Sequence, residues 1–220
     1  MAAAAPLPAL PIEEALPELL AALATTNRVV LEAPPGAGKT TRVPLALLDQ
    51  AWLQGGKILL LEPRRLAARA ASEQMARTLG EAVGETVGYR IRFDVRCGPR
   101  TRIEVLTEGL LTRMIQDNPE LPGVAAIVFD EFHERHLQGD LGLALALEAQ
   151  AALRPDLRLL LMSATLDSAA LASWLPAQRV SSPGRSFPVS ISHQPPLREE
   201  ALERQIVRAV EGLIVRKNDG

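Results

Sequence analysis

The stretch Val29-Val-Leu-Glu-Ala-Pro-Pro-Gly-Ala-Gly-Lys-Thr40 decides the fold. Residues 29–32 are an apolar run of strand length, residues 33–38 are a Pro/Gly-rich turn, and Lys39 opens a segment of helical spacing that reads on to Trp52. A strand, a glycine-bearing turn and a helix in that order make a cradle for a phosphate chain. Successive backbone N–H groups turn inward, and the helix N-terminus is aimed at the anion. Gly36 and Gly38 permit the close approach, so Pro35, Gly36, Ala37, Gly38, Lys39, Thr40 and Thr41 are the candidate phosphate-binding residues. Lys39 would reach the β- and γ-phosphates of ATP, and the Thr40 hydroxyl would ligate Mg²⁺. The strict pattern has glycine at position 33, where this chain has Ala33.

Further along the chain the alternation repeats. Apolar runs at Lys57–Leu61, Ile103–Leu106, Val124–Phe129 and Leu157–Met162 are near-continuously hydrophobic, which suits strands covered on both faces. Between them, Arg65–Leu79, Glu108–Gln116 and Leu141–Leu153 have helical composition. The expected class is α/β: a doubly wound, mostly parallel sheet with helices on both faces. Beyond Met162 an edge strand is expected near Pro188–Ile191 and a last helix over Glu199–Val215. The domain reading is a flexible segment over 1–10, one nucleotide-binding domain over 11–195 and a C-terminal helical segment over 196–220.

Ligands of such sheets bind beyond the carboxyl ends of the strands. After the Val124–Phe129 run comes Asp130-Glu131-Phe132-His133-Glu134-Arg135. Beside a phosphate loop, Asp130 is placed to hold Mg²⁺, and Glu131 to polarise a water as general base. His133 and His136 lack the spacing of a zinc pair and have no evident third ligand.

The 220 residues carry a net charge of −2, from 24 basic and 26 acidic side chains, so no global basic field marks a polyanion-coating protein. The charge is uneven, however: residues 60–113 hold ten arginines against seven acidic residues. A single cysteine, Cys97, excludes an intramolecular disulfide. No apolar run approaches the ~20 residues of a membrane span. A soluble, cytoplasmic monomer is expected, with no membrane partner.

Taken together, Ala33–Thr40 and Asp130-Glu-Phe-His133 resemble the DEAH/RHA group of superfamily 2 ATP-dependent helicases, with Phe132 where that group usually has alanine. Pro63-Arg64-Arg65 is similar to its motif Ia, Thr107-Glu108-Gly109 to motif Ib and Ser163-Ala164-Thr165 to motif III. Val87–Phe93 and Pro183–Pro188 also resemble recurrent segments. Asp130–Arg135 combined with the phosphate loop most resembles the bacterial HrpB helicases.

The resemblance implies a RecA-like first lobe that binds ATP–Mg²⁺ and hydrolyses it to ADP and phosphate. It gives catalytic parts to Lys39, Glu131 and His133, and single-strand RNA or DNA contacts to Arg64, Arg65 and Thr107. Coupling between the two sites would run through His133, Ser163 and Thr165. Gln74 stands where eukaryotic members place a base-stacking arginine, which implies weak discrimination among bases. A second RecA-like lobe would supply arginine fingers from a Gln-x-x-Gly-Arg-x-Gly-Arg motif, and none occurs in these 220 residues, so a fragment of a longer helicase is expected. The alternative of another class is a nucleotide-gated binding or scaffold module. The intact Glu131 speaks against it, because a pure switch needs no base. A small-molecule kinase would lack any use for the motif Ia, Ib and III residues.

Overall fold

The computed structural model describes residues 10–164, 168–184, 191, 193 and 201–218. After a 3₁₀ turn at Pro11–Glu14 the elements run α1 (Leu16–Thr25), β1 (Arg28–Glu32), α2 (Lys39–Leu47), β2 (Lys57–Glu62), α3 (Arg65–Leu79), β3 (Val87–Ile91), β4 (Asp94–Arg96), β5 (Ile103–Thr107), α4 (Glu108–Asp117), β6 (Val124–Phe129), α5 (Leu137–Ala152), β7 (Arg158–Ser163), α6 (Ser168–Trp174), β8 (Gln178–Ser181) and α7 (Leu202–Asn218). The eight strands form one sheet in the order β4-β3-β5-β2-β6-β7-β1-β8. Every pairing is parallel except the β3–β4 hairpin. The chain divides into two units, 1–185 and 186–220; α7 belongs to the second, and its Leu202, Ile206 and Val210 are exposed.

The strand alternation sorts the core into two faces. Val29, Leu31, Ile58 and Leu60 pack with Leu19, Val43, Leu47, Ala68 and Met75, so α1, α2 and α3 cover one side. Val30, Leu59 and Leu61 pack with Leu111, Ile115, Leu143, Ala146 and Ala172, so α4, α5 and α6 cover the other. Within the sheet, buried Glu104 on β5 is paired laterally with Arg90 of β3 at 2.5 Å and Lys57 of β2 at 3.6 Å.

The five strands read from apolar runs are present, and three more were not read. β3 carries Gly88, where an added Cβ would lie 2.4 Å from the Arg96 carbonyl oxygen, so close backbone approach displaces the usual β-branched signal. β8 is an edge strand with only Val180 buried. The proposed edge strand at Pro188–Ile191 lies outside the described residues apart from Ile191, which is not in a strand.

Helix bounds also differ. α2 stops at Leu47, because the Leu48 N–H turns back to the Leu45 carbonyl, and Ala51–Leu53 form a separate 3₁₀ turn. α5 begins at Leu137, four residues early, across Gly139 and Gly142, which dilute its helical composition. α1 follows the Pro11–Glu14 turn and buries Leu19, Ala22 and Leu23.

Leu60 lies at the centre of β2, between β5 and β6, and is fully buried. Leu60→Ala is expected to cost about 3 kcal/mol of stability. Urea unfolding should show this as a lower midpoint at unchanged slope.

Candidate active site

Parallel strands end their carboxyl termini on one edge, and the register brings the motif residues into a row there. Thr107 of β5 lies opposite Glu62 of β2, Leu61 opposite Phe129 just before Asp130, and Glu32 of β1 opposite Ser163 of β7. The phosphate loop is tied into this row by the Ala33 N–H, which donates to the Ser163 carbonyl at 2.9 Å. Gly36 and Gly38 both adopt positive φ, 77° and 94°. A Cβ on Gly38 would lie 2.5 Å from Leu10 Cδ1, so glycine serves conformation and packing alike. The Ile12 N–H donates to the Ala37 carbonyl at 3.1 Å, and Glu13 pairs with Arg42 at 3.3 Å, so residues 10–13 brace the loop from outside.

Lys39 and Asp130 are buried, 4% and 2% exposed. The Lys39 ammonium donates to Glu131 Oε1 at 2.7 Å and lies 4.0 Å from Asp130 Oδ1. The Thr40 hydroxyl donates to Asp130 Oδ2, and Asp130 Oδ1 accepts the Glu131 N–H at 2.8 Å. Thr40 and Asp130 therefore present a hydroxyl and a carboxylate oxygen side by side, hard donors of the kind Mg²⁺ takes. Among the described residues no group of three or more His, Cys, Asp or Glu could hold a metal. An ion here would take its other positions from phosphate oxygens and water, the usual habit of Mg²⁺.

Glu131 begins the 3₁₀ turn Phe132–Glu134, and Glu131 and Arg135 on its two sides are left-handed, with φ 49° and 50°. Phe132 is buried and meets Phe129 edge to face, with centroids 6.1 Å apart. A bulky ring in place of the usual alanine thus anchors the turn to the end of β6. His133 Nδ1 lies 3.4 Å from Glu131 Oε2 and accepts the Ala164 N–H at 3.3 Å, so the imidazole bridges the acidic turn and the end of β7. Ser163 is buried beneath it. Thr165 lies outside the described residues.

The candidate nucleic-acid residues stand on the β5/β2 end of the row. Arg64 caps α3 and is largely exposed; its Nη2 donates to Glu134 Oε1 at 2.6 Å. Arg65 Nη2 donates to the Arg92 carbonyl at 3.0 Å in the β3–β4 turn, where Phe93 is 88% exposed. Thr107 is the N-cap of α4 and makes no side-chain capping hydrogen bond. Gln74 is exposed on α3 and accepts from Arg77 at 3.1 Å. An open cleft of about 440 Å³ joins the two ends, walled by Thr40, Thr41, Arg64, Ala71, Glu131 and Glu134.

Sequence reasoning passed over Glu62 and quoted Glu134 and Arg92-Phe93 only within longer segments, with no role of their own. Glu62 ends β2 and is buried; burial first, then the neighbouring Asp130 charge and hydrogen bond, push its carboxyl up to about 9. It is therefore the protonated partner beside Asp130 at neutral pH. Burial also pushes Asp130 upward, against the opposing pull of Lys39 and the Thr40 hydroxyl. A lone glutamate closing an apolar run carries no local signal of this.

The family model for DEAD/DEAH box helicases matches residues 13–173. The ATP-dependent RNA helicase HrpB of Escherichia coli (strain K12) is 55% identical over 187 residues, 84% of this chain and 23% of that protein. The probable ATP-dependent RNA helicase DHX34 of Homo sapiens is 37% identical over 188 residues, 85% of this chain and 16% of that protein. A crystal structure of the E. coli DEAH/RHA helicase HrpB superimposes with a TM-score of 0.86 at 51% identity, over 94% of this chain and 26% of that one. The sheet is accordingly RecA-like, as the resemblance implied. This chain spans 16–26% of the length of these relatives.

The Glu62 carboxyl sets a pH dependence. Its folded-state value is raised above the usual carboxylate range, so the stabilisation is full below about pH 4.5 and is lost as pH rises toward about 9. In nucleotide-free protein, Glu62→Gln, neutral at every pH, should flatten the fall in Tm between pH 5 and pH 9. Parallel Tm curves for the two proteins would contradict the assignment.

Proposed function

The chain belongs to the DEAD/DEAH box helicase family, and from that premise we propose that it is the ATP-binding RecA-like lobe, over residues 11–195, of an ATP-dependent RNA helicase. The observation that carries this reading is the meeting of Lys39 and Thr40 from the β1 loop with Asp130 and Glu131 from the β6 loop. A scaffold that only binds nucleotide would have no use for a carboxylate at Glu131, held by Lys39 at 2.7 Å beside the phosphate loop.

The phosphates of ATP would lie in the loop of Pro35–Thr41, against backbone N–H groups and the N-terminus of α2. Lys39 would turn from Glu131 to the β- and γ-phosphate oxygens, and Thr40 and Asp130 would hold Mg²⁺. The bound ion would neutralise phosphate charge as it develops. Released by Lys39, Glu131 Oε1 is free to accept a proton from a water. The water oxygen bonds to the γ-phosphorus, the bond to the β–γ bridging oxygen breaks, and ADP and phosphate leave. His133, whose Nδ1 accepts the Ala164 N–H, would relay the position of the turn to the end of β7.

Arg64, Arg65 and Thr107 would hold the backbone of a single strand. Phosphate contacts position the strand without reading its bases. RNA is favoured over DNA because the similar E. coli and human proteins are RNA helicases by name. A second lobe of the whole protein would contribute arginines to the γ-phosphate, worth roughly 10³–10⁵ in rate, and the pair of lobes would move or separate strands.

Lys39→Ala should abolish ADP binding by calorimetry; unchanged affinity would sink the phosphate-loop assignment. In the whole protein, Glu131→Gln should keep ATP binding and lose turnover, and surviving turnover would remove Glu131 as the base. The 220-residue chain by itself should bind nucleotide while hydrolysing it at least ~10³-fold more slowly than the two-lobed protein. Robust RNA-stimulated turnover by the chain alone would contradict that.

A further inference from the structure

Two cations, Lys39 buried at the phosphate loop and Arg64 on the cleft wall, are each held by a carboxylate from the same short turn. Lys39, which the γ-phosphate would take, is held by Glu131 at 2.7 Å. Arg64, which a strand phosphate would take, is held by Glu134 at 2.6 Å. Glu134 and Glu131 are three residues apart and linked through the backbone, the Glu134 N–H donating to the Glu131 carbonyl at 2.9 Å. A second contact fixes Glu134, because its Oε2 lies 2.8 Å from His136 Nε2. The hydrogen bond with His136, then that with Arg64, hold the Glu134 carboxyl below the usual carboxylate range, so it is ionised at neutral pH.

Phe132 pins the middle of the turn against Phe129, while the backbone at both of its ends is strained. Left-handed residues flank it at Glu131 and Arg135, positions where non-glycine backbone is strained. Open space adjoins both sides: Glu131 and Glu134 face the 440 Å³ cleft, while Phe132, His133 and Arg135 border a mainly apolar cavity of about 570 Å³ reaching Leu143 and Trp174. Glu134 sits on the same short turn as His133, and its N–H is bonded to the Glu131 carbonyl.

We propose that Glu134 is a positioning residue that stands in for a strand phosphate on Arg64, so that single-stranded RNA must displace it and, through the 132–134 turn, reset Glu131. This rests on the strand-phosphate role proposed for Arg64. Without a strand, the Arg64 pair holds the turn where Glu131 faces Lys39. With a strand, Arg64 goes to the phosphate, Glu134 is repelled by it, and the turn is released.

The test is a double-mutant cycle on the 220-residue chain, with a fluorescently labelled 12-nucleotide oligouridine read by anisotropy in the absence of nucleotide. Glu134→Gln should tighten binding about two- to fivefold, the scale of one exposed ion pair. Arg64→Ala should weaken binding and lower the slope of log K against log[salt] by about 0.7. In the Arg64→Ala background, Glu134→Gln should change affinity by less than twofold. An equal gain in both backgrounds would mean general charge repulsion and overturn the proposal. If Arg64→Ala leaves both affinity and salt slope unchanged, the strand role of Arg64 falls instead.

Coupling has its own readout in the whole protein. Glu134→Gln should raise ATP turnover without RNA, shrink the stimulation by RNA, and lower the RNA concentration giving half-stimulation. Glu134→Asp, which keeps the charge but is too short to reach Arg64 and His136 together, should move all three in the same direction. Stimulation unchanged in both variants would overturn the coupling.

Discussion

Lys39 puts an ammonium group where almost no water reaches, and a buried charge is tolerated only if it is paired and hydrogen-bonded. Its partners come from a different strand loop 92 residues away, Glu131 in contact and Asp130 near it. Asp130 is equally buried and depends in turn on the Thr40 hydroxyl, the Glu131 N–H and a protonated Glu62. This knot fixes the ends of β1, β2 and β6 relative to one another. It also defines the charge balance that a nucleotide would upset, since a polyphosphate outcompetes one carboxylate for the lysine.

The same logic extends along the edge of the sheet. From β1 and β7 the row runs through β6 to β2 and β5, so the phosphate loop and the arginine-bearing start of α3 share one cleft. Glu131 faces one end of it and Glu134 the other, on a turn pinned by Phe132 against Phe129. Phe132 shows how a departure from a common pattern is absorbed. The ring fills the space between β6 and α5 and leaves the carboxylates at the cleft. The net charge of −2 is likewise made of opposed local parts, with Arg64 held by Glu134 and Arg65 by the Arg92 carbonyl.

Much of the fold is legible in the chain because its signals are local. Near-continuous apolar runs mark β1, β2, β5, β6 and β7, which are buried on both faces, and the loop chemistry after each run marks the site. What stayed hidden has specific causes. β3 is weakened by Gly88, β8 by its exposed edge, and the start of α5 by two glycines. Glu62 looks like the polar end of a strand, and only the placement of β6 beside β2 turns it into a neutral acid. The β3–β4 tip ends the Val87–Phe93 segment that carries family resemblance, but its place beside α3 shows only where Arg65 reaches it across 27 residues.

The sequence by itself determined the phosphate loop, the acidic turn after β6, the strand–helix alternation and the family resemblance, because each depends on neighbouring residues or short periods. The tertiary structure alone decided which of these meet. Strand order is set by how two layers of helices bury the two faces of the sheet, and no local pattern encodes it. That order places Glu131 on Lys39, Glu62 beside Asp130 and Glu134 on Arg64, contacts spanning roughly 70 to 90 residues. These pairings, more than the residue types, make the edge of this sheet a candidate for linked binding of two phosphate-bearing ligands.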